Sequence, residues 1–260
     1  MSFLNQVTTE PDERLTDLGY PPVRINLQAP EGRGKTTFGS NADSPIFLQT
    51  EDGMRFIENT ARFPLADTWE LLTHQVDGLY KEDHQYKTLV LDTTDAASKL
   101  AEEYVVKANN WKSANDPKAA YGAFYLAEEN LWRKLLNFLN LLHDERNMNI
   151  ILLSHVSDRI VNDPTVGEYR AFQMRCNKKV NALIKDWVDF NLFADYDKTL
   201  GSDGMAKSSG NRFLYTQYAM GFEAKSRLAI PKQIPLSWND FLTEYKKALN
   251  LMPSTETEAA

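Results

Sequence analysis

The sequence predicts an α/β protein built on a mainly parallel, twisted sheet with helices on both faces. Three observations carry this expectation: short continuous apolar runs bounded by turn residues, helical patterns between those runs, and a glycine-rich loop that follows the first run and opens a helix. With 260 residues, 42% of them hydrophobic, the chain is long enough for one large domain or two small ones and can bury a proper core.

Residues 1–22 are polar, with acids and prolines around an isolated Phe3-Leu4 pair, and read as an N-terminal arm. The core is expected over residues 23–250. Its first strand is "VRINL" at 23–27, which runs into the glycine-rich loop. Further strands are expected at 45–53, 86–95, 148–155 and 187–196. The clearest helix is expected over 121–146, where Leu131, Leu135, Phe138, Leu139 and Leu142 share one stripe. Residues 201–210 read as a flexible loop. Residues 212–227 read as two strands meeting at Ala219-Met220-Gly221, an antiparallel addition to the sheet. Residues 251–260 read as a disordered tail, and no internal repeat is visible.

Composition narrows the function. A net charge of −7 argues against coating a polyanion through overall charge, so any nucleic-acid site must lie in particular loops. One cysteine and four scattered histidines exclude a disulfide framework and argue against a structural zinc site. No apolar run approaches the roughly 20 residues of a membrane span, and the N-terminus lacks a signal-peptide pattern, so a cytoplasmic, reduced protein without membrane partners is expected.

The motif with the most chemistry is "APEGRGKTT", residues 29–37. Glu31, Gly32, Arg33, Gly34, Lys35, Thr36 and Thr37 form a phosphate-binding loop. In such loops backbone N–H groups cradle phosphates, the lysine reaches the β and γ phosphates, and the threonine hydroxyl meets Mg²⁺. The usual first glycine is replaced by Ala29. Asp92 ends the run "TLVLD", where an acid would hold Mg²⁺ or its water, so Thr36 and Asp92 are the expected metal residues. Glu51, after the strand that follows the loop, is positioned to orient or deprotonate the attacking water. His155 ends the fourth strand at the same sheet edge, where a polar group can sense the γ-phosphate. ATP and Mg²⁺ are the expected ligands.

These residues resemble the RecA-like ATPases, and more closely the small phage-encoded RecA-core proteins linked to single-strand annealing and recombination. The resemblance rests on "EGRGKTTF", "FLQTEDG", "YKTLVLDT", "NIILLSH" and the late "FEAKSRLAIP", and covers about residues 23–238. It implies a RecA-type core and a bacterial host cell. The last segment looks like the KNRFG motif of RadA-like proteins: Lys225 and Arg227 match its lysine and arginine, Ser226 replaces its asparagine, and Leu228-Ala229 replace its Phe-Gly pair. The resemblance implies that Lys225 and Arg227 reach a neighbour's γ-phosphate in a ring or filament. Gln49 stands where RecA relatives often carry an acid.

In that family single-stranded DNA lies on loops after the third and fourth strands. Here the first holds Lys107, Trp111, Lys112 and Lys118, and the second holds Arg159, Arg170, Arg175, Lys178 and Lys179. Basic residues with interleaved aromatics suit a single strand. The partners implied are single-stranded DNA, further copies of the chain and a single-strand binding protein. Two rival readings are a nucleotide-gated scaffold with little hydrolysis, which Ala29 would favour, and a small-molecule kinase built on the same loop.

Overall fold

A computed structural model of the chain describes residues 18–55, 57–202 and 204–251. Phe3-Leu4 and residues 252–260 lie outside the described residues, and so does most of the expected arm. The strands are β1 Arg24–Ala29, β2 Pro45–Gln49, β3 Ala61–Arg62, β4 Thr88–Asp92, β5 Asn149–Asp163, β6 Gly167–Met174, β7 Phe190–Tyr196, β8 Thr199–Leu200, β9 Ala206–Lys207, β10 Arg212–Tyr215, β11 Lys225–Ser226 and β12 Gln233–Pro235. The helices are α1 Lys35–Ser40, α2 Trp69–Lys81, α3 Thr94–Ala108, α4 Ala123–Asp144, α5 Lys178–Trp187 and α6 Trp238–Ala248.

The main sheet runs β12-β10-β7-β1-β5-β4-β2-β3. Its six strands from β7 to β3 are parallel, and β10 and β12 add antiparallel strands beyond β7. Alternation along each strand feeds two cores. Ile46, Leu48, Leu89, Leu91, Ile150 and Leu152 face α2, α3, α4 and α5. Ile25, Leu27, Phe47, Val90, Ile151 and Leu153 face α1 and α6. Because both faces are covered, these strands read as continuous apolar runs.

Parallel order brings the C-terminal ends of β1, β2, β4 and β5 to one edge, with β5 between the loop strand and the Asp92 strand. Loops beyond that edge are where open α/β sheets bind ligands.

Three expectations change. The segment expected as a loop after His155 continues β5 and returns as β6, an antiparallel hairpin from Val156↔Met174 to Asp163↔Gly167. Beyond Val156 its residues are mostly half-buried or exposed, so no apolar pattern marks them as strand. The ladder and the turn hold it: the Asp163 carboxylate accepts from the Thr165 and Val166 N–H groups at 2.7 and 3.2 Å.

The strands expected within 212–227 do not pair with each other. β10 lies on the last half of β7 and β11 on its first half. The residues between them loop out, and Phe222 stacks on Phe193 with centroids 4.3 Å apart. Part of the expected loop 201–210 also pairs, as β8 with β9.

Candidate nucleotide site

Ala29 ends β1 fully buried, in the ladder opposite His155. Its backbone is not left-handed, and Pro30 after it favours extended geometry. An alanine therefore costs nothing at this position, and the methyl group fills core space. The glycines that matter are Gly32 and Gly34, with φ of 71° and 97°. A Cβ on Gly34 would also lie 2.6 Å from Arg212 Nη1.

Lys35 is buried and donates from Nζ to the Ala29 and Pro30 carbonyls, each at 3.2 Å. This leaves one donor for a ligand. Burial pulls its amine down to about 8, although Asp92, Asp95, Glu51 and Glu31 pull the other way. Thr36 Oγ1 donates to Asp92 Oδ2 at 2.9 Å. Burial raises Asp92 to about 6, with Glu51 adding to the rise and Thr36 and Lys35 opposing it. A buried cation whose hydrogen bonds go to carbonyls alone and a buried carboxylate whose charged form burial disfavours fit a phosphate and a metal ion respectively. Hard oxygen donors such as Thr36 and Asp92 suit Mg²⁺, which keeps waters and phosphate oxygens as its other ligands.

Glu51 is carried beside Asp92 by a clamp between strand ends. The Thr50 N–H donates to the Asp92 carbonyl at 2.9 Å, and Thr50 Oγ1 both accepts from the Thr93 N–H and donates to the Thr93 carbonyl, each at 2.8 Å. Glu51 Oε1 lies 4.0 Å from His155 Nε2. The other ring nitrogen, Nδ1, meets Asp95 Oδ2 at 3.2 Å, and the His155 N–H donates to Asp95 Oδ1 at 3.1 Å. Burial works against the charge of Asp95, but the two hydrogen bonds from His155 outweigh it and bring the carboxyl down to about 2. An ionised Asp95 only accepts, so Nδ1 carries the proton and Nε2 is the nitrogen nearest Glu51.

The cleft has a volume of about 330 Å³, and Lys35, Thr36, Glu51, Asp92 and His155 all line it. Arg212 lines it too and donates from Nη1 to the Arg33 carbonyl at 3.3 Å. Sequence reasoning missed Asp95, Arg212, Thr50 and Thr93. Asp95 could have been found, since it lies three residues past Asp92 in the first turn of α3. Arg212 comes from a remote strand, and no local pattern announces it. Gln49 donates to the Phe63 carbonyl at 2.7 Å and so serves the sheet edge.

Arg33 is engaged elsewhere: its Nε donates to buried Asp195 at 2.7 Å, and its guanidinium lies 4.8 Å from the Tyr196 ring centre. Exposed Glu31 pairs with Arg175 at 2.9 Å, which holds the Glu31 carboxyl below its ordinary range. Thr37 is an exposed member of the same loop.

The structure does not bring Lys225 and Arg227 to this cleft. They lie beside the first half of β7, where Lys225 Nζ donates to the Lys185 carbonyl at 2.6 Å and Arg227 Nη2 to the Asp186 carbonyl at 3.1 Å. Both cap the last carbonyls of α5.

Among the residues expected at DNA, Lys107, Lys112 and Lys118 are exposed around the α3–α4 connection. Trp111 is half-buried and packs near Phe124, at 6.5 Å between centroids, in a small cluster with Val105 and Ala119. Arg159 and Arg170 sit on the hairpin, where Arg170 pairs with Asp158, and Arg175 ends it at the phosphate loop. Lys178 and Lys179 are exposed at the start of α5, with Lys179 3.4 Å from Glu129. Among the described residues no helix is long and apolar enough to cross a membrane.

Comparison with known proteins agrees with this geometry. The chain is 21% identical over 155 residues to the SPbeta prophage-derived uncharacterized protein YorG of Bacillus subtilis (strain 168), a match covering 55% of this chain and 46% of that protein. The chain thus matches under half the length of that relative. The family model for the AAA domain matches residues 22–228, a span that takes in the phosphate loop, Asp92 and His155. On that match, which covers most of the sequence, the chain belongs to the AAA domain family.

Proposed function

We propose that this AAA-domain protein is a RecA-like ATPase that binds Mg²⁺-ATP, assembles on single-stranded DNA and promotes annealing or recombination in a phage setting. The observation that carries the reading is the series Glu51, His155, Asp95, whose middle member lines the phosphate cleft and directly precedes Val156, the first paired residue of a hairpin bearing Arg159 and Arg170. A P-loop protein that only transferred phosphate to a small molecule would have no use for that link. Antiparallel β10 and β12 beside β7 support the RecA-type reading of the sheet, and the prophage origin of a relative supports the phage setting.

Each residue has a task. Lys35 and the backbone N–H groups of residues 32–36 hold the phosphate oxygens. Thr36 and Asp92 would hold Mg²⁺, which when bound neutralises charge on the β and γ phosphates. Glu51 takes the proton of the attacking water or orients it. His155, fixed through Nδ1 by Asp95, adjoins both Glu51 and the first residue of the hairpin. Occupancy of the cleft thereby biases the hairpin. Lys225 and Arg227 act on a neighbour's phosphate in a ring or filament. Lys225 spends one of its three donors on α5, and Arg227 is 53% exposed, so both have donors to offer.

The test is Mg²⁺-dependent ATP hydrolysis with and without single-stranded DNA, at two protein concentrations, on the wild type, Lys35→Ala and Glu51→Gln. Turnover that rises with DNA and with protein concentration, and is lost in both variants, supports the reading. Binding of ATP without turnover in any condition would make the protein a nucleotide-gated scaffold.

A further inference from the structure

Glu128 is a carboxylate that the nucleotide site does not use. It lies on α4 and is fully buried, and among the described residues its Oε1 has no hydrogen-bond partner. Its Oε2 accepts from Asn177 Nδ2. Arg133 and Lys179, the cations on the elements around it, pair with Glu129 instead, at 2.6 and 3.4 Å. From α3 it faces the Ser98 hydroxyl and the half-buried Glu102 carboxylate, and from the turn before α5 the buried Cys176 thiol. A buried carboxylate with an unpartnered oxygen, no paired cation and a second acid beside it is held in its neutral form. Burial, with Glu102 adding to it, lifts Glu128 to about 7, against Asn177 and the nearby Ser98 hydroxyl.

The residue that holds Glu128 also starts a helix. Asn177 Oδ1 accepts from the Lys179 and Val180 N–H groups at 2.8 and 3.0 Å, which caps α5. Asn177 sits in the short turn between Met174, the end of β6, and Lys178, the start of α5. Its neighbours in that turn reach toward the cleft: the Arg175 N–H donates to the His155 carbonyl at 3.0 Å, and Cys176 Sγ lies 3.7 Å from Thr94 Oγ1. Ionising Glu128 in place would bury a charge beside a second acid, and water relieves that charge only where the cover over it moves. Residues 175–177 belong to neither β6 nor α5, so they can move without breaking either element.

We propose that the Glu128–Asn177 contact is a proton-operated latch: with Glu128 neutral the turn 175–177 is closed on α4, and loss of the proton favours a local opening of that turn, which hydrates the carboxylate and uncovers Cys176. The β5–β6 hairpin and the Arg175–Glu31 pair end at the same turn, so its opening loosens both. The latch needs no nucleotide and stands independently of the ATPase reading.

Cys176 is the single cysteine of the chain and so reports the opening. Its reaction with excess thiol reagent is timed from pH 6 to 8 without nucleotide. Each rate is divided by that of the urea-unfolded chain at the same pH, which removes the titration of the thiol itself. A carboxyl at 4.5 when open and about 7 when closed makes the opening constant rise about tenfold over that range. In Glu128→Gln the ratio changes by less than about twofold, and in Glu102→Gln the rise shrinks, because the second acid no longer holds Glu128 neutral. Urea well below the unfolding midpoint leaves the wild-type rate nearly unchanged, since a local opening exposes little surface. A flat wild-type ratio, an equal rise in Glu128→Gln, or a wild-type rate that climbs with urea as steeply as global unfolding overturns the proposal. If Glu128→Gln does not fold, Glu102→Gln decides, and an undiminished rise there overturns it as well.

Discussion

Arg175 donates from Nη2 to Glu31 Oε1 at 2.9 Å and so ties the end of the β5–β6 hairpin to the phosphate loop. At the same place the Arg175 N–H donates to the His155 carbonyl at 3.0 Å. The hairpin is thus fastened on one side to the loop that would hold phosphate and on the other to the residue that ends the parallel part of β5.

Arg175→Ala and Glu31→Gln should therefore uncouple rather than unfold. Both side chains are exposed, and exposed ion pairs contribute little to stability, so Tm should stay near that of the wild type. ATP affinity, read by calorimetry, should change less than threefold, while the stimulation of hydrolysis by single-stranded DNA that the proposed function calls for should fall about tenfold. Stimulation that survives in both variants would leave the link without a role.

The loop glycines should behave oppositely to Ala29. Ala29→Gly removes a buried methyl group and adds backbone freedom in a strand, which should cost about 1–2 kcal/mol in denaturant unfolding and bring no gain in turnover. Gly34→Ala places a Cβ against Arg212 at a φ of 97°, so nucleotide binding should fall at least about 100-fold. A rise in turnover in Ala29→Gly would show that the missing glycine does limit the enzyme.

Acid dependence should expose the Asp92 site. In the native state Asp92 titrates at about 6 instead of 3.8, so the folded protein binds more protons than the unfolded chain between those values. Its contribution to stability is present below about 4 and lost as pH rises through about 6, roughly 3 kcal/mol in size. Lys35, lowered from 10.5 to about 8, acts at the other end: its contribution is present above 10.5 and lost as pH falls through 8. Asp92→Asn should flatten the acid limb of the ligand-free stability profile and raise stability near pH 7. The same variant should lose the extra stability that Mg²⁺-ATP confers, as followed by thermal unfolding. Wild-type Mg²⁺-ATP binding should itself weaken below about pH 6.

Asp95 has the reverse sign. Held near 2 instead of 3.8, it stabilises the fold above about 4, by about 2 kcal/mol, and that stability is lost as pH falls through 2. Asp95→Asn should lower the unfolding free energy at pH 7 by about that amount and remove this part of the acid limb. It should also release the His155 ring, with a fall in turnover at nearly unchanged ATP affinity. An unaltered rate would make the Asp95–His155 contact purely structural.

Much of the core was legible because it depends on local repeats. The runs that became β1, β2, β4, β5 and β7 are apolar on both faces, and the stripe from Leu131 to Leu142 became α4. Lys35, Thr36, Glu51, Asp92 and His155 were found because each sits at a strand end or in a loop of fixed spacing, and the parallel sheet gathers such ends. The hairpin was not legible, because the half-covered face of β5 beyond Val156 carries Ser157, Arg159, Val161 and Asp163 and so leaves no apolar period in the sequence. Lys225 and Arg227 show the opposite problem: a short motif names the residues, but their bonds to the end of α5 depend on where β11 joins β7.

By itself the sequence singled out the residues proposed to hold phosphate and metal, because backbone conformation, charge and hydroxyl chemistry over residues 29–37 act over a few bonds. It also determined the parallel core, because burial on two faces must be written as continuous apolar strands. Only the tertiary structure decided that Ala29 fits its place without backbone strain, since that depends on the extended backbone and the buried space around it. Only there do Asp95 meet His155, Arg175 meet Glu31, and Arg212 and Leu236 close on Gly34. Those contacts join residues tens to hundreds of positions apart, and pairings of that kind are set by strand order and register.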